Sequence, residues 1–153
     1  MFINCFWIFF VINFNKMINL KILKIAENSL NIGLKNKYTH RSNIKNKICG
    51  DKISIELILR KNIIVSMRYE TESCIFCQAS ASILSNEIKK TKINEFFELK
   101  EKFSNIFQSK DNNDKKIFKN FKIFFDKKYY NRKDCILLPF NAITKAIKNE
   151  KLH

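Results

Sequence analysis

Glycine and proline are nearly missing from this chain of 153 residues, which has two of the first and one of the second. Two glycines cannot build the small-residue loop that cradles a phosphate, so nucleotide-binding loops of that kind are excluded. Arginine is also scarce: of 29 basic residues only Arg41, Arg60, Arg68 and Arg132 are arginines, which leaves 25 lysines. A formal net charge of +15 would by itself point to nucleic acid or an anionic membrane. Base-edge and phosphate recognition, however, favour the planar guanidinium fork. Lysine, isoleucine and asparagine together supply nearly half the chain, the skew that an A/T-rich coding bias imposes on tolerant surface positions. The basic balance therefore reads as a solvated lysine surface, and no specific nucleic-acid partner is expected. A basic RNA-binding domain stays as a minor alternative. Histidine is limited to His40 and His153, neither with a nucleophile partner in sequence. His40 reads as a surface residue and His153 as a free end.

No apolar run is long enough to span a bilayer. The opening stretch MFINCFWIFFVINFN is hydrophobic, but it lacks the basic start and small-residue cleavage site of a signal peptide. Residues 1–16 read as a leader upstream of a start at Met17, with a membrane-surface anchor as the second reading. Residues 17–153 are then one cytoplasmic domain without stable membrane association. The five cysteines, Cys5, Cys49, Cys74, Cys77 and Cys135, are odd in number and widely spaced. Without a secretion signal they read as reduced thiols available for metal or sulfur chemistry.

What remains is ordinary globular material: 46% hydrophobic and 28% charged residues, in a length that suits one domain. Apolar residues from Ile18 to Leu30 recur at helical spacing, and Gly33 reads as the stop. The polar stretch 35–48 holds one candidate strand near Tyr38–Arg41. From Asp51 the period becomes two: Ile53, Ile55, Leu57 and Leu59 alternate with polar residues, and Ile63, Val65, Met67 and Tyr69 repeat the pattern. Arg60-Lys61-Asn62 is too short for anything but an antiparallel hairpin. A turn centred on Lys61 places Asp51 opposite Thr71 and Cys49 opposite Ser73. The hairpin thus returns Cys74 to the neighbourhood of Cys49 and Asp51. Helical spacing resumes after Cys74, again over 93–107, over 115–130 with Phe118, Phe121, Phe125 and Tyr129 as its stripe, and in a last helix with Pro139 in its first turns. The fold class is α+β: a small antiparallel sheet, a hairpin with a third strand, and helices on one face.

Three cysteines have informative surroundings. Cys49 opens Cys49-Gly50-Asp51, in which Gly50 lets a sulfur and a carboxylate oxygen turn toward one point. Cys74 and Cys135 both sit at helix starts, where free amides and the macrodipole favour thiolate. Three thiolates and one carboxylate suit zinc or iron, the oxygen being the exchangeable fourth ligand. A Cys74-x-x-Cys77 redox pair, half of a zinc ribbon, and cysteines that merely pack are the competing readings. The ribbon would need a second such pair, which the chain lacks.

The three segments also carry a resemblance. "CGDKISIELIL", "SCIFCQASASIL" and "RKDCILLPFNAITKAI" resemble, in order and spacing, the motifs of the IscU/SufU/NifU N-terminal family of iron–sulfur cluster assembly scaffolds. The interval from Cys74 to Cys135, with Arg132 three residues before Cys135, is closer to the SufU branch. The resemblance implies that Cys49, Asp51, Cys74 and Cys135 bind zinc or an iron–sulfur cluster of the [2Fe-2S] kind, and that Cys135 accepts sulfur. It implies a cysteine desulfurase as donor partner and apo iron–sulfur proteins as recipients. The protein would be a scaffold with sulfur-transfer capacity and not an enzyme in the usual sense. Its second reading is a small zinc-stabilised binding module. The family's Asn-Pro before the first cysteine is replaced by Asn46-Lys47-Ile48, and no Leu-Pro-Pro-Val-Lys segment precedes Cys135, so partnering with an Hsp70-type chaperone is not expected. Cys77 stands where the family commonly has Ser; spare ligand, sulfur relay and packing are its readings, with packing the simplest.

Overall fold

The hairpin that the alternating residues predict is the centre of the molecule. A computed structural model describes residues 20–108 and 118–149; the leader 1–16, with Cys5, and His153 lie outside them. Strands β2 (Lys52–Arg60) and β3 (Ile63–Glu72) pair antiparallel. They are joined by Lys61 and Asn62, both with positive φ (48° and 64°), the two-residue turn whose twist matches that of the flanking strands. Strand β1 (His40–Lys45) adds to the free side of β2, giving the order β1-β2-β3. It runs further than the stretch expected near Tyr38–Arg41, because Ser42 and Ile44 pair with Ile55 and Ile53 across the ladder.

The register differs from the simple count. Ile53, not Asp51, faces Thr71, and Lys52 faces Glu72. Two causes add. The turn is centred between Lys61 and Asn62, and an irregularity at Ile58/Leu59 pairs Ile58 with Ser66 and Leu59 with Ile64, so that Val65 is the extra residue. One additional residue exchanges the faces of everything beyond it. Ile64 is consequently buried with Met67 and Tyr69, while Val65 is exposed.

Four α-helices complete the described residues: α1 (Leu20–Glu27), α2 (Ile75–Glu87), α3 (Ile93–Ile106) and α4 (Lys133–Asn149). Helix α4 lies on β1 and β2, while α2 lies on β3 and packs between α1 and α4. Their shared core joins Ile53, Ile55, Leu57 and Tyr69 of the sheet to Phe76, Leu84, Phe140 and Ile143. Helix α1 stops well before Gly33, whose φ of 88° serves the following loop. That loop is pinned to the outer face of the sheet: the buried Glu56 carboxylate accepts the amides of Lys35 and Asn36, and Arg68, its ladder partner, donates to the carbonyls of Ile32 and Gly33.

The helix expected over 115–130 is not an α-helix in its described part. Lys119–Phe124 and Lys127–Arg132 are two 3₁₀ turns. Phe118, Phe121 and Phe124 recur every three residues, the repeat of a 3₁₀ helix, and the carboxylate of Asp126 caps Lys128 N–H at 3.1 Å and interrupts the run. The rings close over Phe103, which lies 4.8 Å from Phe121 and 5.1 Å from Phe140 between centroids. Among the described residues no helix is long and apolar enough to cross a membrane.

Candidate metal centre

One turn and two helix starts meet at one end of the sheet. The β1–β2 connection is shaped by Asn46, whose side chain accepts Ile48 N–H and whose carbonyl accepts Gly50 N–H. Gly50, at φ 79°, then reverses the chain between Cys49 and Asp51, a conformation that a side chain would strain. Cys49 is left exposed and Asp51 is buried. At the other end of the β2–β3 hairpin Cys74 caps α2 in an extended conformation. Its amide donates to Asp51 Oδ1 at 3.2 Å. Cys135 is buried in the first turn of α4. Helix α4 is held in place by two buried hydroxyls: Ser80 of α2 donates to Ile136 O, and Ser42 of β1 donates to Ala142 O, each at 2.6 Å.

The Cys49 sulfur, a carboxylate oxygen of Asp51 and the Cys135 sulfur all lie within 4.8 Å of one another. The Cys135 thiol is 3.8 Å from the Cys49 sulfur and near enough to Cys74 for the two thiols to perturb each other. Three of the four residues singled out in the sequence therefore meet, while Cys74 stays outside this group and is tied to it by its amide on Asp51 Oδ1. Charge is shared unequally among the thiols. The neighbouring Cys135 thiol lowers the Cys74 thiol to about 7, assisted by the amides of Cys77 and Phe76 and opposed by burial. Cys135 moves the other way, chiefly because of its neighbour Cys74 and then because it is buried.

The donor set can be tested against a cation. Asp51 Oδ2 is buried and has no hydrogen-bond partner among the described residues, an arrangement that costs on the order of 1–3 kcal/mol or more for a charged group unless something positive meets it. Two sulfurs and one such oxygen, with the Cys74 thiol nearby, match the preferences of zinc and of iron in thiolate sites. The residues fit the group.

Other expectations fare differently. His40 is buried, not exposed. It opens β1 opposite Leu57, five strand positions from the cysteine end, with its Nδ1 hydrogen-bonded to the Thr39 hydroxyl at 2.8 Å. Cys77 is fully buried, and burial pushes its thiol up to about 12 despite the hydroxyls of Ser73 and Thr71. Sequence reasoning missed the tie between Asp51 and the Cys74 amide, which only a correct register would have revealed. It also missed the stacking of the Arg132 guanidinium, 5.9 Å from the centre of the Phe76 ring. The spacing of Arg132 before Cys135 was visible; the ring two residues after Cys74 was not recognisable as its partner.

An antiparallel three-stranded sheet flanked by helices, with cysteines and an aspartate gathered at one end, defines a small α+β protein of the sulfur and metal-handling class. The sequence profile described as NifU-like N terminal domain matches residues 17–151, and the chain belongs to that family. Among curated relatives, the iron–sulfur cluster assembly scaffold protein IscU of Thermotoga maritima is 30% identical over 105 residues, covering 68% of this chain and 73% of the relative. The zinc-dependent sulfurtransferase SufU of Bacillus subtilis is 27% identical over 109 residues, 71% and 74% of the two chains. Among solved structures, the N-terminal part of a NifU-like protein from Brucella abortus superposes with a TM-score of 0.76 at 20% identity, covering 85% of this chain and 91% of that one. That likeness establishes the shared fold.

Proposed function

We propose that the chain is an iron–sulfur cluster assembly scaffold whose working centre is Cys49, Asp51, Cys74 and Cys135, with Cys135 as the sulfur acceptor. The observation that carries this reading is the approach of Cys49, Asp51 and Cys135 donor atoms to within 4.8 Å across 86 residues of sequence. Membership of the family and the names of its IscU and SufU relatives support it. A zinc ion or an iron–sulfur cluster bound here would keep the thiols deprotonated and offer an exchangeable position. The donor set suits either cargo.

The roles divide by environment. Asp51 supplies the single hard, weakly held donor while its other oxygen keeps the helix start in place. Cys49, on the β1–β2 turn with its side chain exposed, can enter and leave the group. Cys135 takes sulfur from the persulfide of a cysteine desulfurase: its sulfur attacks the outer persulfide sulfur, a new S–S bond forms as the old one breaks, and the desulfurase leaves as thiolate. Sulfur or an assembled cluster then passes to apo iron–sulfur proteins. A purely structural zinc module has no need of an exposed ligand or an oxygen in the set.

The test is incubation of the chain with a desulfurase and cysteine, followed by mapping of persulfide by mass spectrometry. Sulfur on Cys135, absent in Cys135→Ser, is the expected result. Persulfide confined to other cysteines removes the acceptor role.

A further inference from the structure

Cys77 is not used by the centre described above, yet it is the third residue after the half-buried Cys74 in the first turn of α2. Cys74 is the N-cap, in extended conformation (φ −68°, ψ 164°), and Cys77 stands at the third helical position with no exposed surface. Residues three apart in a turn hold their Cβ atoms about 5–6 Å apart, a small adjustment from the spacing that a disulfide requires. One thiol is thus partly exposed and the other, one helical turn on, is fully buried. The inner one is not sealed in hydrocarbon: the Thr71 hydroxyl is 4.0 Å from its sulfur and is itself hydrogen-bonded to Ser73. Both hydroxyls lie on the segment leading into the helix, so a polar neighbour is at hand when the inner thiol gives up its proton.

We propose that Cys74 and Cys77 form a dithiol–disulfide exchange pair, with Cys74 as the attacking thiol, Cys77 as the resolving thiol and a low-molecular-weight disulfide as oxidant. In the first step the Cys74 thiolate attacks one sulfur of the oxidant, the mixed disulfide forms and one small thiolate leaves. In the second the Cys77 thiolate attacks Cys74 Sγ, the bond to the small molecule breaks and a second small thiolate leaves. Both small thiolates take up the protons released by the two cysteines. The net change is one disulfide reduced and one formed, so electrons balance without another reagent. The pair operates on chains whose Cys74 is free of metal. It gives the protein a reversible store for a thiol that stray oxidants would otherwise drive to higher oxides. It does not depend on the scaffold role: a chain that took no sulfur on Cys135 and still joined these two thiols would remove that role and leave this one intact.

The experiment uses the full chain with oxidised glutathione as the probe, with and without a metal chelator. Free thiols are alkylated in acid and the digest is mapped. The expected product is a peptide containing Cys74 and Cys77 that is lighter by two hydrogens and takes alkylating reagent only after reduction, with the chelator speeding its appearance. The Cys77→Ser chain should instead accumulate glutathione on Cys74, at least tenfold above the unsubstituted chain. Cys77→Ala, which leaves no hydroxyl in the cavity, should do the same, and the map of the unsubstituted chain decides the matter even if neither variant folds. A disulfide joining Cys135 to Cys49 or to Cys74 while Cys77 stays reduced overturns the proposal, as does a glutathione adduct on Cys74 that persists in the unsubstituted chain, or no reaction at all.

Discussion

Asp51 holds the amide of Cys74 through one carboxylate oxygen, at 3.2 Å, and buries the other without a partner. One residue therefore ties down the start of α2 and keeps a second carboxylate oxygen that none of the described residues satisfies. These two effects have opposite signs in the metal-free chain. Losing the N–H bond costs about 1 kcal/mol, and removing a stranded buried oxygen returns a similar amount. Asp51→Ala is expected to change metal-free stability by less than about 1 kcal/mol in urea titrations, while zinc affinity, read by competition with a chelating dye, falls at least about tenfold. A large loss of stability with unchanged zinc affinity would make Asp51 a structural cap only.

The placement of Cys135 rests on a hydroxyl. Pro139 has no N–H to donate back along α4, and the neighbouring carbonyl of Ile136 is taken by buried Ser80. Ser80→Ala should cost about 1–2 kcal/mol in chemical denaturation. Ser80→Thr would restore the donor but must fit one more methyl into a fully buried site, so it is expected to be no better than Ala. Denaturation midpoints equal to that of the unsubstituted chain would show that the Ser80 hydroxyl does not hold α4 in place.

The Lys61-Asn62 turn places two ordinary residues at positive φ, each strained relative to glycine. Asn62→Gly leaves the carbonyl that accepts Ile93 N–H in place and should raise stability by about 1 kcal/mol. A drop in the urea midpoint contradicts the turn geometry.

Glu87 carries the clearest pH signature away from the cysteines. Burial raises its carboxyl above the ordinary 4.5, against the hydrogen bond from Asn120, and one oxygen is buried without a partner among the described residues. The folded chain then keeps a proton that the unfolded chain has lost. This contribution to stability is complete below pH 4.5 and disappears as pH rises through the folded value. Stability of Glu87→Gln should be flatter with pH just above 4.5 than that of the unsubstituted chain. Identical slopes would mean that the carboxyl titrates normally.

Much of this was legible in the sequence because the strongest signals are periodic or local. Ile53, Ile55 and Leu57 announce a strand, and Lys61-Asn62 leaves room for nothing but a tight turn. The proximity of Cys49, Asp51 and Cys74 followed from the hairpin even with the register two places out, since the connection on either side of the site is only a few residues long. The bulge at Val65 was illegible because Ile63, Ile64 and Val65 are all apolar, and a run of three gives no parity to count. The 3₁₀ turns were hidden in a phenylalanine spacing that serves either helix. His40 was misjudged because its burial comes from elements distant in sequence, which local polarity does not report.

The most direct test of the central claim is X-ray absorption spectroscopy on the zinc-loaded full chain, prepared without oxygen. The predicted first shell has three sulfurs at about 2.3 Å and one oxygen at about 2.0–2.2 Å, losing one sulfur in each of Cys49→Ser, Cys74→Ser and Cys135→Ser and the oxygen in Asp51→Ala. A shell of nitrogen and oxygen donors, or one that the Cys135→Ser and Asp51→Ala chains leave unchanged, would contradict it.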